Sequence, residues 1–474
     1  MIPDPLPPSN PIGRVAMFVF NDATMDSRVR REAASLASAG HTVTVLATAR
    51  RGTTTIERER VDDFEIVRIP IRTAWQARWR LISKPGVGRA QALAAARRTF
   101  VAGPVHWPTA LGWIAVAAGW VGMSVIRRVA LAMRLRGLTE WPPANTYAAA
   151  TWRWSILAWA RDAAIVTPPA DIYHGHDLTG LVAAVAAADR RGGLVVYDSH
   201  ELFLESGGYA RLPRWIRIWL RRLEQRLAAR ASAVVTVNPA IGAELERRIP
   251  IRRMAIVHNC PPRWEPPSTR PELIRTATGI ALDAPVLLYH GVFSAHRGLE
   301  QLAAAILEPG LENAHAVFLG YGAQRAMLDR LAADPRFGGR LHVLDAVDPA
   351  VLLDWVTDAN VAVIPVQPST LNHLLSSPNK LFEAIAAGVP VAIMNFPYVA
   401  GIVRDDPDGP LGTVCDPTDP AAIAIAVRAI LELPAGERDA LRARCLRVAR
   451  EHWNWETEST HLMALVADLL SSHH

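Results

Sequence analysis

Apolar residues recur along this chain in two patterns, short unbroken runs and longer stretches spaced by three and four. Residues 14–20 (Arg-Val-Ala-Met-Phe-Val-Phe) form the first unbroken run and predict a strand buried on both faces. A helix is predicted from about Ser27 to Ala39, with Val29, Ala33, Leu36 and Ala37 on one face and Gly40 ending it. His41 to Ala47 (His-Thr-Val-Thr-Val-Leu-Ala) is the next strand. A β-α-β unit with such short connections implies a parallel sheet. Phe64–Ile69, Ile172–His176, Leu194–Asp198 and Ala233–Val237 read as further strands separated by helical stretches. The N-terminal half is therefore expected to be a doubly wound α/β domain.

Prolines 261, 262, 266, 267 and 271 mark a linker. A second α/β series follows, with strands at Val286–Tyr289, Ala314–Leu319, Leu341–Leu344, Val361–Pro365 and Val389–Met394. Helices start near Leu299 and Ala323. The organisation read from this pattern is a tail over 1–12, a first Rossmann-like domain over 13–265, a second over 266–450, and a terminal helix over 451–474 that crosses back to the first.

One region departs from that plan. Between about residues 73 and 160 an insertion interrupts the first domain, and from Thr99 to Ile126 it has no formally charged side chain. Nine of the fifteen tryptophans (75, 79, 107, 113, 120, 141, 152, 154 and 159) fall between 75 and 159. Tryptophan beside arginine is favoured at a membrane interface, and Arg127-Arg128 follow the apolar run. Interfacial docking of 99–130 and a helical insertion buried as core are both compatible with this composition.

Composition narrows the class. Half of the 474 residues are hydrophobic, enough for two sizeable cores. Cys260, Cys415 and Cys445 are scattered, without disulfide or metal-ligand spacing, which fits a reducing compartment. The start, Met-Ile-Pro-Asp-Pro-Leu-Pro-Pro, reads as a loose tail rather than a secretory signal. A net charge of +6 with dispersed arginines suits anionic surfaces or phosphorylated substrates and does not call for nucleic acid.

The chemistry concentrates in Ser377-Pro-Asn-Lys-Leu-Phe-Glu-Ala-Ile-Ala-Ala-Gly-Val-Pro-Val391. Lys84 and Lys380 are the only lysines in a chain that otherwise uses arginine. A lysine kept beside a carboxylate at a helix start suggests a phosphate seat, with a capped surface helix as the alternative. Arg297, at the entry of the second domain's first helix, can hold a diphosphate through paired N–H donors. Gly320-Tyr-Gly322 makes a glycine turn, but the third glycine of a dinucleotide fingerprint is absent. In the first domain, His174-Gly-His176-Asp177 and Asp198-Ser-His200-Glu201 load two strand ends with histidine and carboxylate, where open α/β sheets bind ligands.

Together these motifs resemble the GT-B-fold, retaining glycosyltransferases of the family-four type. Arg297-Gly298, Gly320-x-Gly322 and Pro378-Asn-Lys-Leu-Phe-Glu383 with Gly388-Val-Pro-Val391 carry the resemblance in the second half. Asp26-Ser-Arg-Val-Arg-Arg-Glu-Ala33, Gly40-His-x-Val43, His174-Gly-His-Asp177, Asp198-Ser-His-Glu201 and Val257-His-Asn259 carry it in the first. The resemblance covers most of residues 14–470.

It implies a GT-B fold, α/β, with two Rossmann-like doubly wound domains facing across a cleft and a helical, Trp-rich insertion in the first. It implies transfer of a sugar, with retention, from a nucleotide-diphosphate sugar of UDP or GDP type. The Trp-rich, Arg-flanked insertion suggests that the acceptor is a lipid-linked or cell-envelope glycan at the inner face of the cell membrane. Glu383 would accept hydrogen bonds from the ribose hydroxyls, and Arg297 and Lys380 would neutralise the diphosphate. Gly320, Gly322 and Asn379 would help bind the donor, His176 would face the transferred sugar, and Asp198, His200 and Glu201 would serve the acceptor. No metal or other cofactor is implied.

Two positions depart from the family pattern. Leu375 stands where an upstream glutamate would read the donor sugar, and Val292 stands where a basic residue often follows the first strand's glycine. A nucleotide-sugar epimerase of the same fold, or a paralogue that binds donor without turning it over, are the alternatives.

Overall fold

The computed structural model describes residues 12–50, 53, 55–71, 152–207 and 209–472. The tail and most of the insertion, including the apolar run at 99–126, lie outside the described residues. No helix among those described is long and apolar enough to cross a membrane.

Two sheets organise the chain. The first contains β1 (Arg14–Phe18), β2 (Thr42–Thr48), β3 (Glu57–Val61), β4 (Phe64–Ile69), β5 (Ile172–His176), β6 (Leu194–Ser199), β7 (Ala233–Thr236) and β8 (Met254–Ile256). Their spatial order is β3-β4-β2-β1-β5-β6-β7-β8. β1 pairs in parallel with both β2 and β5, and β2 pairs in parallel with β4. β3 runs antiparallel to β4.

The second sheet contains β9 (Val286–Val292), β10 (His315–Tyr321), β11 (Leu341–Asp345), β12 (Val361–Ile364), β13 (Val391–Met394) and β14 (Gly412–Cys415), in the order β11-β10-β9-β12-β13-β14. All five pairings are parallel. The strand order reverses between β9 and β12, and ligands of open α/β sheets bind at the carboxyl ends of strands at such a switch point. Both sheets confirm two parallel α/β series.

Contacts divide the chain into two compact units, Met1–Tyr197 with Arg211–Arg230, and Asp198–Ala210 with Ala231–His474. In the first, strand residues such as Ala16, Met17, Phe18, Val45, Leu46, Ile66 and Ile172 are fully buried, which is why these runs show no polar alternation. The described end of the Trp-rich stretch is core. Trp159 is buried, donates its indole N–H to the Ala47 carbonyl at 3.4 Å, and sets its ring edge-on to Phe20. Trp152 is buried as well.

In the second unit the helix Asn379–Ala386 buries Leu381, Phe382, Ala384 and Ile385. It stops because Gly388 adopts a positive φ of 68°, and a Cβ there would lie 2.9 Å from the Leu446 side chain. The C-terminal helix Trp455–Ser471 is held near β8. Its Glu458 accepts the His258 backbone N–H at 2.7 Å and lies 3.1 Å from His258 Nδ1, and its Asp468 pairs with Arg253.

Candidate functional site

Three polar side chains converge in the second unit at the carboxyl end of β9. The helix Asn379–Ala386 begins after Pro378, and no side chain caps its first turn. Its second residue, Lys380, turns inward: the ammonium is 5.1 Å from the Tyr289 ring centroid and would touch a Cβ at Gly291 at 2.9 Å. Gly291 is therefore glycine because Lys380 needs that space and because its φ is 103°. Burial and the nearby Arg297 guanidinium push the Lys380 ammonium down to about 8, opposed by Glu383. Among the described residues no carboxylate lies within 4.0 Å of it. Two cations that repel one another at a switch point form a seat for a ligand anion.

One turn on from Lys380, Glu383 places Oε2 2.9 Å from Nε2 of His290, a side chain only 2% exposed. That contact fixes the direction of the carboxylate. Sequence reading did not assign His290 a role. Its partner is 93 residues away, so only the packing of that helix beside β9 reveals the pair.

Arg297 also borders a cavity of about 330 Å³ lined by Ser294, His296, Gln324, Gln367 and Ser369 among others. His373, whose Nδ1 is 2.9 Å from Ser369 Oγ, is pushed down to about 4 by burial, then by Arg297 and His296. It is therefore neutral at physiological pH. Gly320 and Gly322 need no ligand to explain them: a Cβ on either would lie 1.9 Å from the Gly291 carbonyl oxygen or 2.3 Å from that of Phe293. They are glycines because the ends of β9 and β10 pack backbone to backbone. Asn379 opens the first turn beside Lys380.

Within the second unit, Asp198 is buried, with its carboxylate 3.2 Å from Nε2 of the partly exposed His200. Glu201 accepts a hydrogen bond from Asn372 Nδ2 at 3.0 Å, and Asn372 Oδ1 accepts the Leu202 N–H at 2.9 Å. Leu375 ends the same short helix, Leu371–Leu375, and its carbonyl accepts from Asn238 Nδ2 at 2.9 Å. This helix thus serves to anchor the chain around 201 and 238 and presents no carboxylate at its end. Val292, half-exposed, contributes its carbonyl to the Tyr289 hydroxyl at 3.0 Å.

His176 ends β5 in the first unit, fully buried and stacked on His174 with ring centroids 4.6 Å apart. Glu32, His174 and His176 offer ligand atoms within 4.8 Å of one another, a spacing that a metal ion could use. Arg28, buried beside them, already supplies a cation to Glu32 at 2.9 Å.

Comparison with known proteins gives a consistent picture. The family description "Glycosyltransferase Family 4" matches residues 127–260, and "Glycosyl transferases group 1" matches residues 284–433. A glycogen synthase of Mycobacterium tuberculosis is 26% identical over 302 residues, covering 61% of this chain and 67% of that protein. A sucrose-phosphate synthase structure from Thermosynechococcus elongatus superposes with a TM-score of 0.66 at 17% identity, covering 97% of this chain and 99% of that one. An Anabaena protein solved in complex with UDP gives a TM-score of 0.59 at 12% identity, covering 96% and 100%. Those structural likenesses establish the GT-B fold.

Proposed function

This chain belongs to the GT-B glycosyltransferases of the family-four type, and on that premise we propose that it transfers a sugar from a UDP- or GDP-type donor, with retention, to a lipid-linked or cell-envelope glycan. The observation that carries the donor half is the inward Lys380 ammonium beside Arg297, with no carboxylate within 4.0 Å among the described residues. A diphosphate is the anion that fits two neighbouring cations, and Glu383, aimed by His290, receives the ribose hydroxyls.

In the reaction the bond from the sugar's anomeric carbon to the diphosphate breaks, and the acceptor oxygen bonds to that carbon on the same face. The acceptor proton passes to the departing phosphate oxygen. Lys380 and Arg297 stabilise the charge that develops on the leaving group, where a preorganised cation contributes most. The diphosphate's charge is met by these side chains, so the reading requires no metal. Asp198, His200 and Glu201 are assigned to the acceptor side.

The acceptor would lie at the cytoplasmic face of a membrane, a reading supported by the Trp-rich, Arg-flanked composition of 99–130. A thermal-shift screen of nucleoside diphosphates tests the donor class. Saturation at a hundred times the dissociation constant adds about 2.7 kcal/mol to stability. Absence of a shift with UDP, GDP and every other nucleoside diphosphate would sink the donor assignment.

A further inference from the structure

The helix Arg214–Ala228 in the first unit has a face that the donor chemistry does not use. Its inward side is ordinary core: Ile216, Leu220, Glu224 and Ala228 are buried, and Glu224 accepts a hydrogen bond from the Tyr197 hydroxyl at 2.8 Å. Its outward side carries Trp215, Ile218 and Trp219, which are 61%, 40% and 42% exposed. At 100° per residue these three lie within one arc, interleaved with Arg214, Arg222 and Arg226. Glu224 is the helix's sole acidic residue, so this exposed face holds no carboxylate. Nor do Arg214, Arg222 and Arg226 have an ion pair or a side-chain hydrogen bond among the described residues.

Large apolar side chains left in water mark an interaction surface. Unpaired arginines between them specify a partner that is negative and apolar at once. An anionic bilayer surface has both properties: indole rings settle at the headgroup level, and guanidinium groups are drawn by the negative potential of acidic lipid. A helix of 15 residues with this division of faces lies flat in the interface rather than crossing it. We infer that the face of Arg214–Ala228 bearing Trp215, Ile218 and Trp219 docks the enzyme on an anionic membrane. This deepens the membrane-face reading above and depends on it only for the whereabouts of the acceptor.

The test uses the full chain in vesicle co-sedimentation, comparing phosphatidylcholine vesicles with vesicles that also contain phosphatidylglycerol. The wild type should sediment with the anionic vesicles and be released by salt. Trp215→Ser/Ile218→Ser and Arg222→Gln/Arg226→Gln should each weaken vesicle binding by about tenfold or more. Trp219 is left in place because its ring packs edge-on against buried Trp152. Nucleotide-induced thermal shifts of both variants should match the wild type, showing that the fold and donor site survive.

Wild-type protein that stays in the supernatant overturns the inference, as do double variants that bind like the wild type. Loss of vesicle binding only on deleting 99–130 would move the docking site to the insertion. Capture of single-stranded RNA in place of vesicles, or self-association abolished by the same substitutions, would also overturn it. Failure of the donor reading is separate, because it appears as absent thermal shifts in a protein that still binds vesicles.

Discussion

At the scale of single residues, Lys380 sets a conflict between stability and binding. Its ammonium is desolvated and repelled by Arg297, so removing the charge relieves the ligand-free fold while removing the diphosphate's partner. Lys380→Met should raise the melting temperature without ligand, abolish most of the nucleotide-induced shift, and raise the donor KM about ten- to a hundredfold, the worth of one charge-assisted hydrogen bond. Calorimetry with and without nucleotide checks both halves, and unchanged donor affinity would refute the assignment. The pH dependence has a definite sign. With its folded value lowered from 10.5 to about 8, the unfolded chain binds more protons between those limits. This residue's contribution to ligand-free stability therefore rises with pH across that window, and its burial penalty is fully present below about 8. Nucleotide affinity should fall as pH climbs through about 8, by up to about tenfold per unit, and Lys380→Gln should flatten the titration. His290 acts through Glu383. His290→Ala should raise the donor KM with a smaller change in kcat, whereas Glu383→Ala should leave His290→Ala without further effect in the double variant.

Elements differ in how much of themselves the sequence displays. The parallel strands were readable because burial on both faces forces unbroken apolar runs, and Phe64–Ile69 and Ile172–His176 coincide with β4 and β5 end to end. β3 was not, since Glu-Arg-Glu-Arg-Val is an edge strand that alternates between half-buried and exposed residues, and its pairing with β4 depends on the turn at Asp62, which holds a φ of 49°. β8 and β14 close the edges of their sheets and are mostly half-buried, so neither forms an unbroken apolar run. In the site, the spacing of Lys380 and Glu383 on one helix was legible, whereas the contribution of His290 depends on a strand laid beside that helix. Gly320 and Gly322, expected beside the donor, are also required by the backbone contact between β9 and β10. The helix Asn379–Ala386 rests on Phe382, whose ring lies 5.2 Å from Trp453 and 5.8 Å from His258. Phe382→Ala should cost about 3–5 kcal/mol. Urea unfolding measures this, and a loss below about 1 kcal/mol would show that the aromatic cluster repacks.

On the scale of the whole molecule, two features lay beyond local pattern. Trp152 and Trp159 belong to a stretch whose composition suggested a membrane interface, yet both are core, because tryptophan serves either setting and only tertiary packing decides. Conversely, the exposed Trp215, Ile218 and Trp219 sit on an ordinary amphipathic helix, and their exposure becomes visible only once its buried side is known. The C-terminal helix is the second feature. It brings Glu458 to His258, and that histidine's Nε2 lies 2.5 Å from the Tyr398 hydroxyl. Its face also buries Leu462, Val466 and Leu469. Ending the chain at Trp453 would strip His258 of both Glu458 contacts and uncover the apolar patch. The truncated protein should aggregate or unfold several degrees lower, as differential scanning calorimetry would report, whereas unaltered melting would show the helix to be dispensable.

The scarcity of lysine gives this enzyme a built-in spectroscopic handle. Reductive methylation with carbon-13 formaldehyde marks amines, and the only side-chain amines here are those of Lys84 and Lys380. The depressed Lys380 is the better nucleophile near neutral pH, while its position beneath Gly291 slows the reagent's access. A dimethylamine resonance assigned by its absence in Lys380→Arg would shift as nucleotide is added. Occupancy of the donor site could then be followed by a single NMR line in a protein of 51.7 kDa.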